Sequence, residues 1–325
     1  MSNQLLRMAA IAAVVVALPY VVYPVFLMKV LCFALFACSF NLLIGYTGLL
    51  SFGHAAFFGG AGYIAGYLLR DVGVSFETGV LAGMVFAGLV GAVMGGLAIR
   101  RKGIYFTMIT LAFAQMVYFI FLQAPFSGGE DGFQNVPRQP LFGLLALDSD
   151  RAMYFVVAAL LFASLALIRR IVSSPFGSVL AAIRENEARA ISLGYDVNRY
   201  KLLAFILSAM LAGMAGATKV AVLGFETLAD IHWSTSGIVI LMTMIGGKGT
   251  FTGPLVGAGL IVLLENKLGE AGAMLSRLTG MEVFNGIGES ISTVIGLIFI
   301  VCVLMFRKGV VGEIADRLAL RKAAS

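Results

Sequence analysis

Charge is what this sequence has least of. Lys and Arg supply 23 of its 325 residues, Asp and Glu 17, and the charged share is 12%. That shortage, with 60% hydrophobic residues and a mean hydropathy of +0.97, excludes an ordinary soluble domain, in which about half the residues are apolar. The three cysteines, Cys32, Cys38 and Cys302, stand in apolar runs without disulfide or metal spacing and read as small buried hydrophobes. The two histidines, His54 and His232, are far apart, and neither HExxH nor a His/Cys/Asp/Glu cluster occurs, so no metal site is expected. GxxxxGK[ST] is also missing; "GGKGT" at 246–250 has the Lys without the spacing. The chain is therefore not expected to hydrolyse ATP, to hold a cofactor, or to act as an enzyme. Acids are scarce at membrane depth: Glu265 and Glu289 fall near expected segment ends, and none lies mid-segment in the first seven. A proton-coupled transporter would need such a relay. Sodium coupling through carbonyls stays open. The +6 net charge does not point to nucleic acid, because in so oily a chain the distribution of basic residues carries the information.

Apolar runs of roughly 20 residues recur along the whole length, the signature of a polytopic membrane protein. The fold class is an all-α membrane helix bundle, since backbone groups in lipid must be satisfied internally. Ten segments are expected, at 8–27, 29–46, 48–69, 79–98, 103–123, 151–169, 201–223, 235–247, 252–266 and 290–306. The eighth and ninth are short, so eight full spans is the alternative. A cleaved signal peptide is the rival reading of the first run, but no small-residue cleavage site follows it. With the N-terminus in the cytoplasm, 16 of the 23 basic residues and 5 of the 17 acids fall inside. This is the expected bias, and it puts both termini in the cytoplasm. The loop 124–150, rich in Gly, Pro and acids, then faces outward.

Glycine is abundant, at 39 residues, and Gly62/Gly66, Gly91/Gly95 and Gly253/Gly257 have the GxxxG spacing of close helix packing in lipid. Two Gly-rich breaks echo one another: "IGYTGLLSFGHAAFFG" (44–59) and "IGGKGTFTGPLVG" (245–257). Interrupted helices in repeats mark transporters. Tyr46, Thr47, Ser51 and His54 cluster on the first break, and Lys248 and Thr250 on the second; Gln115 sits in the fifth segment. Tyr46, Thr47, Ser51, His54 and Gln115 are candidates to line a solute path. The competing reading is helix packing through buried hydrogen bonds.

One stretch breaks the oily pattern: "AAIRENEARAISLGYDVNRYKLLAF" (181–205). Each central charge costs about 2.5–3.5 kcal/mol even on a lenient insertion scale, so it cannot span. The absence of Gly and Pro between Ser178 and Leu193 predicts one short helix. Val179, Ile183, Ala190 and Leu193 supply an apolar stripe, Gly194 a stop and Asp196 a cap for the next helix. Arg184, Arg189 and Arg199 balance Glu185, Glu187 and Asp196. A membrane-adsorbed helix would carry a cationic excess. A protein partner and a solvated loop helix both fit.

"NLLIGYTGLLSFGHAAFFGGAGYIAG" (41–66), "KGIYFTMITLAFAQMVYF" (102–119), "AIRENEARAISLGYDVNRYKLLAFILSAMLAGMAGA" (182–217) and "MIGGKGTFTGPLVGA" (244–258) resemble the permeases of branched-chain amino-acid ABC importers, most of all the second of their two permease subunits. The resemblance covers about 30–312. It implies a single permease domain over 1–312 and a cytoplasmic tail, 313–325, in a multi-pass protein of the bacterial inner membrane. It implies as partners a second permease, two cytoplasmic ATPases that bind ATP and Mg, and a periplasmic binding protein. It makes 178–194 the coupling helix, with Ile183, Arg184, Glu185, Asn186, Glu187, Arg189, Ala190 and Gly194 as the ATPase-coupling residues. Many ABC importers have Glu-Ala-Ala, three residues, then Gly here; this chain keeps the Gly at 194 and lacks that acid. The implied cargo is branched-chain or other small amino acids, with urea or a short-chain amide as the alternative.

Overall fold

The computed structural model describes residues 17–279, together with 293, 296, 297, 300, 309 and 311–313; for 268–279 it describes the backbone alone. Residues 8–16 of the first expected segment, most of the segment 290–306, and the tail beyond 313 lie outside those residues. The helices are α1 (Pro24–Thr47), α2 (His54–Tyr67), α3 (Phe76–Ala98), α4 (Ile104–Gln123), α5 (Asp150–Val172), α6 (Pro175–Glu185), α7 (Glu187–Ser192), α8 (Val197–Leu223), α9 (Leu228–Ile231), α10 (Trp233–Gly246) and α11 (Gly253–Thr279). Among the described residues, the β pairing is confined to isolated bridges, Phe133 with Glu226 and Leu141 with Leu145.

Among the described residues, five helices, α1, α3, α4, α5 and α8, are long and apolar enough to cross a membrane. Two of the expected segments differ from what forms. The third, 48–69, is helical only from His54; Gly48 ends α1 at φ 75, and the backbone stays irregular to Gly53. α2 runs without a break into a π-helical turn, Leu68–Val72, so the helix from 54 to 72 is about 27 Å long, close to a roughly 30 Å hydrocarbon core. The ninth, expected as the short 252–266, runs on to Thr279. Glu265 therefore lies in mid-helix rather than at an end, where Lys29 of α1 pairs with it at 3.9 Å. α10, with 14 residues, is as short as the sequence suggests.

Side-chain size sorts the helices. α3 turns Leu81, Val85, Leu89, Val93 and Leu97 outward at a strict spacing of four, and buries Gly83, Ala87, Gly91 and Gly95. Small residues inside and large ones outside is the membrane arrangement, because lipid solvates the large side chains while close backbones gain van der Waals contact. A methyl at Gly91 would lie 2.7 Å from Ala209 of α8. One at Gly216 would lie 1.8 Å from the Phe58 carbonyl of α2, so the chain tolerates only Gly there. Along their spans, α1 and α8 are 78% and 72% buried, against 22–39% for α3, α4 and α5. α1 and α8, with the buried α2, are thus the core, and α3, α4 and α5 form its rim.

The ends of the bundle differ in charge. At one end lie the α3–α4 turn with Arg100, Arg101 and Lys102, the end of α5 with Arg169 and Arg170, helices α6 and α7, the start of α8, and the 247–252 break with Lys248. At the other lie Asp71, Glu77, the 124–150 loop with Glu130, Asp131, Asp148 and Asp150, and the Glu226–Asp230 segment. Phe133 pairs there with Glu226, and Arg138 bonds the Val222 carbonyl at 3.2 Å and Asp150 at 2.7 Å.

Candidate functional site: a charged elbow at the basic end

The stretch 175–195 forms an elbow of two helices, not the single expected helix. Pro175 occupies the first turn of α6, and the Ser174 hydroxyl accepts from the Gly177 amide at 3.4 Å. Asn186 then breaks the run at φ −153, ψ 97, and its Oδ1 accepts from the Arg189 amide at 3.0 Å, starting α7. The break puts Glu185 and Arg189 on different helices, so their i,i+4 spacing makes no pair. Gly194 stands at φ +87, where a side chain would be strained, and returns the chain toward α8. Asp196 caps α8 as expected, through the Arg199 amide at 3.3 Å.

The elbow is clamped to the bundle. Ile183, Ala190 and Val197 bury against each other, with Val179 and Tyr200 packed on them. The stripe expected to meet a partner thus includes two residues, Ile183 and Ala190, that face inward. Glu187 bridges Lys201 of α8 at 3.0 Å and Lys102 of the α3–α4 turn at 3.1 Å. Burial raises the Glu187 carboxyl, but the two lysines outweigh it and hold the group below the usual carboxylate range. Arg184 Nη1 donates to the Gly45 carbonyl at the end of α1.

The Gly45 carbonyl that Arg184 holds lies where the two Gly-rich breaks pack on each other. The Asn41 side chain donates to the Thr250 carbonyl at 2.9 Å and accepts from the Gly249 amide at 2.8 Å. The echo seen in sequence therefore corresponds to two interrupted segments in contact, directly beneath α6. Of the coupling candidates, Arg184, Glu185, Asn186, Arg189 and Gly194 are exposed, and beside them stand three large apolar side chains, Ile191, Leu193 and Tyr195, which are 53%, 67% and 41% exposed.

The path candidates separate. Tyr46 lines a cleft of about 310 Å³ with Arg169, Val172, Ser173 and Phe251 at the basic end. Thr47 donates to Leu43 at 2.6 Å and Ser51 accepts from Gly53 at 3.1 Å, both closing the irregular backbone of the first break. Gln115 is half-buried on α4. His54 is fully buried among Phe40, Phe57 and Phe205. Its Nε2 lies 2.9 Å from the Ser208 hydroxyl, which spends its one proton on the Ser39 carbonyl at 2.6 Å. The histidine must therefore donate from Nε2. This chain ties α2 to α8 and α1, so the structure gives His54 a packing role.

The sequence reading missed a buried cluster at the acidic end. Lys219, 4% exposed in α8, reaches Asp230 at 2.5 Å and Glu226 at 3.3 Å. A lysine inside an apolar segment, followed by acids seven and eleven positions on, was the available signal.

The family described as the permease component of the branched-chain amino acid transport system matches residues 22–306. The high-affinity branched-chain amino acid transport system permease protein LivM of Escherichia coli is 30% identical over 246 residues, 69% of this chain and 58% of LivM. Its Salmonella typhimurium counterpart is 31% identical over 247 residues, with the same coverage. The autoinducer 2 import system permease protein LsrC of Klebsiella pneumoniae is 30% identical over 196 residues, 58% of this chain and 53% of LsrC. The chain thus spans 58% of the length of the LivM relatives it matches. With a helical bundle and five membrane-length helices among its described residues, the chain belongs to the branched-chain amino acid transport permease family.

Proposed function

We propose that this chain is the membrane-spanning subunit of an ATP-driven importer that carries branched-chain or other small amino acids across a bacterial inner membrane. It pairs with a second permease, two cytoplasmic ATPases and a periplasmic binding protein, and ATP is hydrolysed in the ATPases. The basic end faces the cytoplasm, as the positive-inside rule requires. The observation that carries this reading is the elbow: apolar Ile191, Leu193 and Tyr195 project from a charged segment clamped to α1, α8 and the α3–α4 turn. Apolar groups on a segment too charged for lipid suit a protein cleft. The clamp lets a push on the elbow reach the core helices as a rigid-body motion. The relatives' names support the cargo class.

The test is uptake into inverted-topology-controlled vesicles holding the full complex, with and without ATP. Leucine uptake should need ATP, and Leu193→Arg should abolish it while leaving the permease pair inserted. ATP-independent uptake driven by a sodium gradient would refute the reading. So would full ATP-driven uptake by the Leu193→Arg complex.

A further inference from the structure

The charges at the opposite end meet in one place. Lys29 of α1, Lys219 of α8, Asp230 of α9 and Glu265 of α11 line a single cleft of about 240 Å³. Phe33, Leu223, Phe225 and Ile238 supply its apolar wall. The volume lies below the roughly 300–1,000 Å³ of drug-sized pockets and suits a small solute.

The two cation–anion sets differ. Lys219 is tightly satisfied by Asp230 at 2.5 Å and Glu226 at 3.3 Å, and it is buried. This set fixes α9 against α8. Lys29 and Glu265 stand 3.9 Å apart, too far for a hydrogen bond, with side chains 32% and 23% exposed. An ammonium carries three donors and a carboxylate about four acceptor sites, so both heads keep capacity for a further partner. Lys29 lies 5.8 Å over the Phe33 ring and Lys219 lies 5.9 Å from the Phe225 ring, which brings each charge beside an apolar wall residue. Ionisable residues at membrane depth are costly and mark solute paths.

Two ammonium groups and two carboxylates line one mouth. A solute with one charge meets a like charge whichever way it enters, whereas a zwitterion satisfies both kinds. We propose that this cleft is a subsite for a zwitterionic amino acid with an apolar side chain, its carboxylate on Lys29 and its ammonium on Glu265. The side chain lies along Phe33, Phe225 and Ile238. The subsite is the first stop after release at the acidic end. This inference rests on the amino-acid reading above.

The experiment uses the assembled transporter in nanodiscs, without binding protein, and equilibrium binding of radiolabelled leucine. Binding should saturate, and unlabelled leucine should displace it. Neither 4-methylpentanoate nor 3-methylbutylamine should do so at 100-fold excess. Glu265→Gln and Lys29→Met should each weaken binding at least tenfold, with recovery of the assembled subunits within twofold of wild type. Unchanged binding in both variants overturns the proposal, as does equal displacement by the acid or the amine. Absence of saturable binding in a wild type that takes up leucine also overturns it. A wild type that takes up no amino acid refutes the amino-acid reading itself. Normal uptake with binding unchanged in the variants refutes only the subsite.

Discussion

Replacing Glu187 by Ala should loosen the elbow from the bundle. Two lysines lose their partner at once. Lys201 is the one that matters, because its side chain is 7% exposed while that of Lys102 is 69% exposed. Breaking a buried pair from one side costs about 3–5 kcal/mol, and an exposed pair contributes about 0–1 kcal/mol. Glu187 is itself 24% exposed, so water reaches the pair and the cost falls between the two ranges. A cost of about 2 kcal/mol corresponds to a roughly 30-fold rise in the undocked population. The cost comes from a stranded ammonium, so removing that ammonium too should recover most of it: Glu187→Ala with Lys201→Met should lie near wild type. Hydrogen exchange of the 186–196 amides in the purified complex reads the effect directly. The single variant should exchange about 30-fold faster and the double variant within a few-fold of wild type. An unchanged single variant, or a double variant as fast as the single, would refute the clamp.

Acid should act on the same joint. Glu187 titrates below its unfolded value, so its stabilising contribution is full above about pH 4.5 and is lost as pH falls through the lower folded value; the protection of the elbow amides, taken relative to their intrinsic exchange rate at each pH, should fall in that acid range and stay flat from pH 5.5 to 8. Gly216→Val should abolish recovery of folded protein, because a Cβ would sit 1.8 Å from Phe58, whereas Gly96→Ala, with nothing within 4 Å, should be recovered normally; fluorescence-detected size exclusion separates the two. In a background without native cysteines, Cys at 130 should label from outside intact cells and Cys at 186 only after permeabilisation; the reverse pattern would invert the orientation.

The elbow was legible because its charges cannot enter lipid, and Gly194 and Asp196 mark its end with residue types that suit those positions. Its internal break was not, since Asn186 sits in a run without Gly or Pro and becomes a cap only through its own side chain. Periodicity showed that Ile183 and Ala190 share a face. It carries no information on whether that face meets the bundle or a partner, and the structure turns it inward. The length of α11 was hidden because a hydropathy run stops at Glu265, whereas the helix continues with that carboxylate paired to Lys29. His54 looked like a path residue because it is polar beside a break; its hydrogen-bond partner is 154 positions away in sequence. The acidic-end cleft joins residues from four helices, and no local pattern assembles it.

The central claim is that the exposed apolar corner of the elbow seats in a cytoplasmic ATPase. A photo-crosslinking amino acid in place of Leu193, 67% exposed, tests it most directly, with Leu89, 65% exposed on the outer face of α3, as the control. On irradiation of the intact complex, position 193 should form one adduct with the ATPase, and position 89 should form adducts with lipid. Lipid adducts at 193, or no ATPase adduct in a complex that purifies with its ATPases bound, would contradict the account.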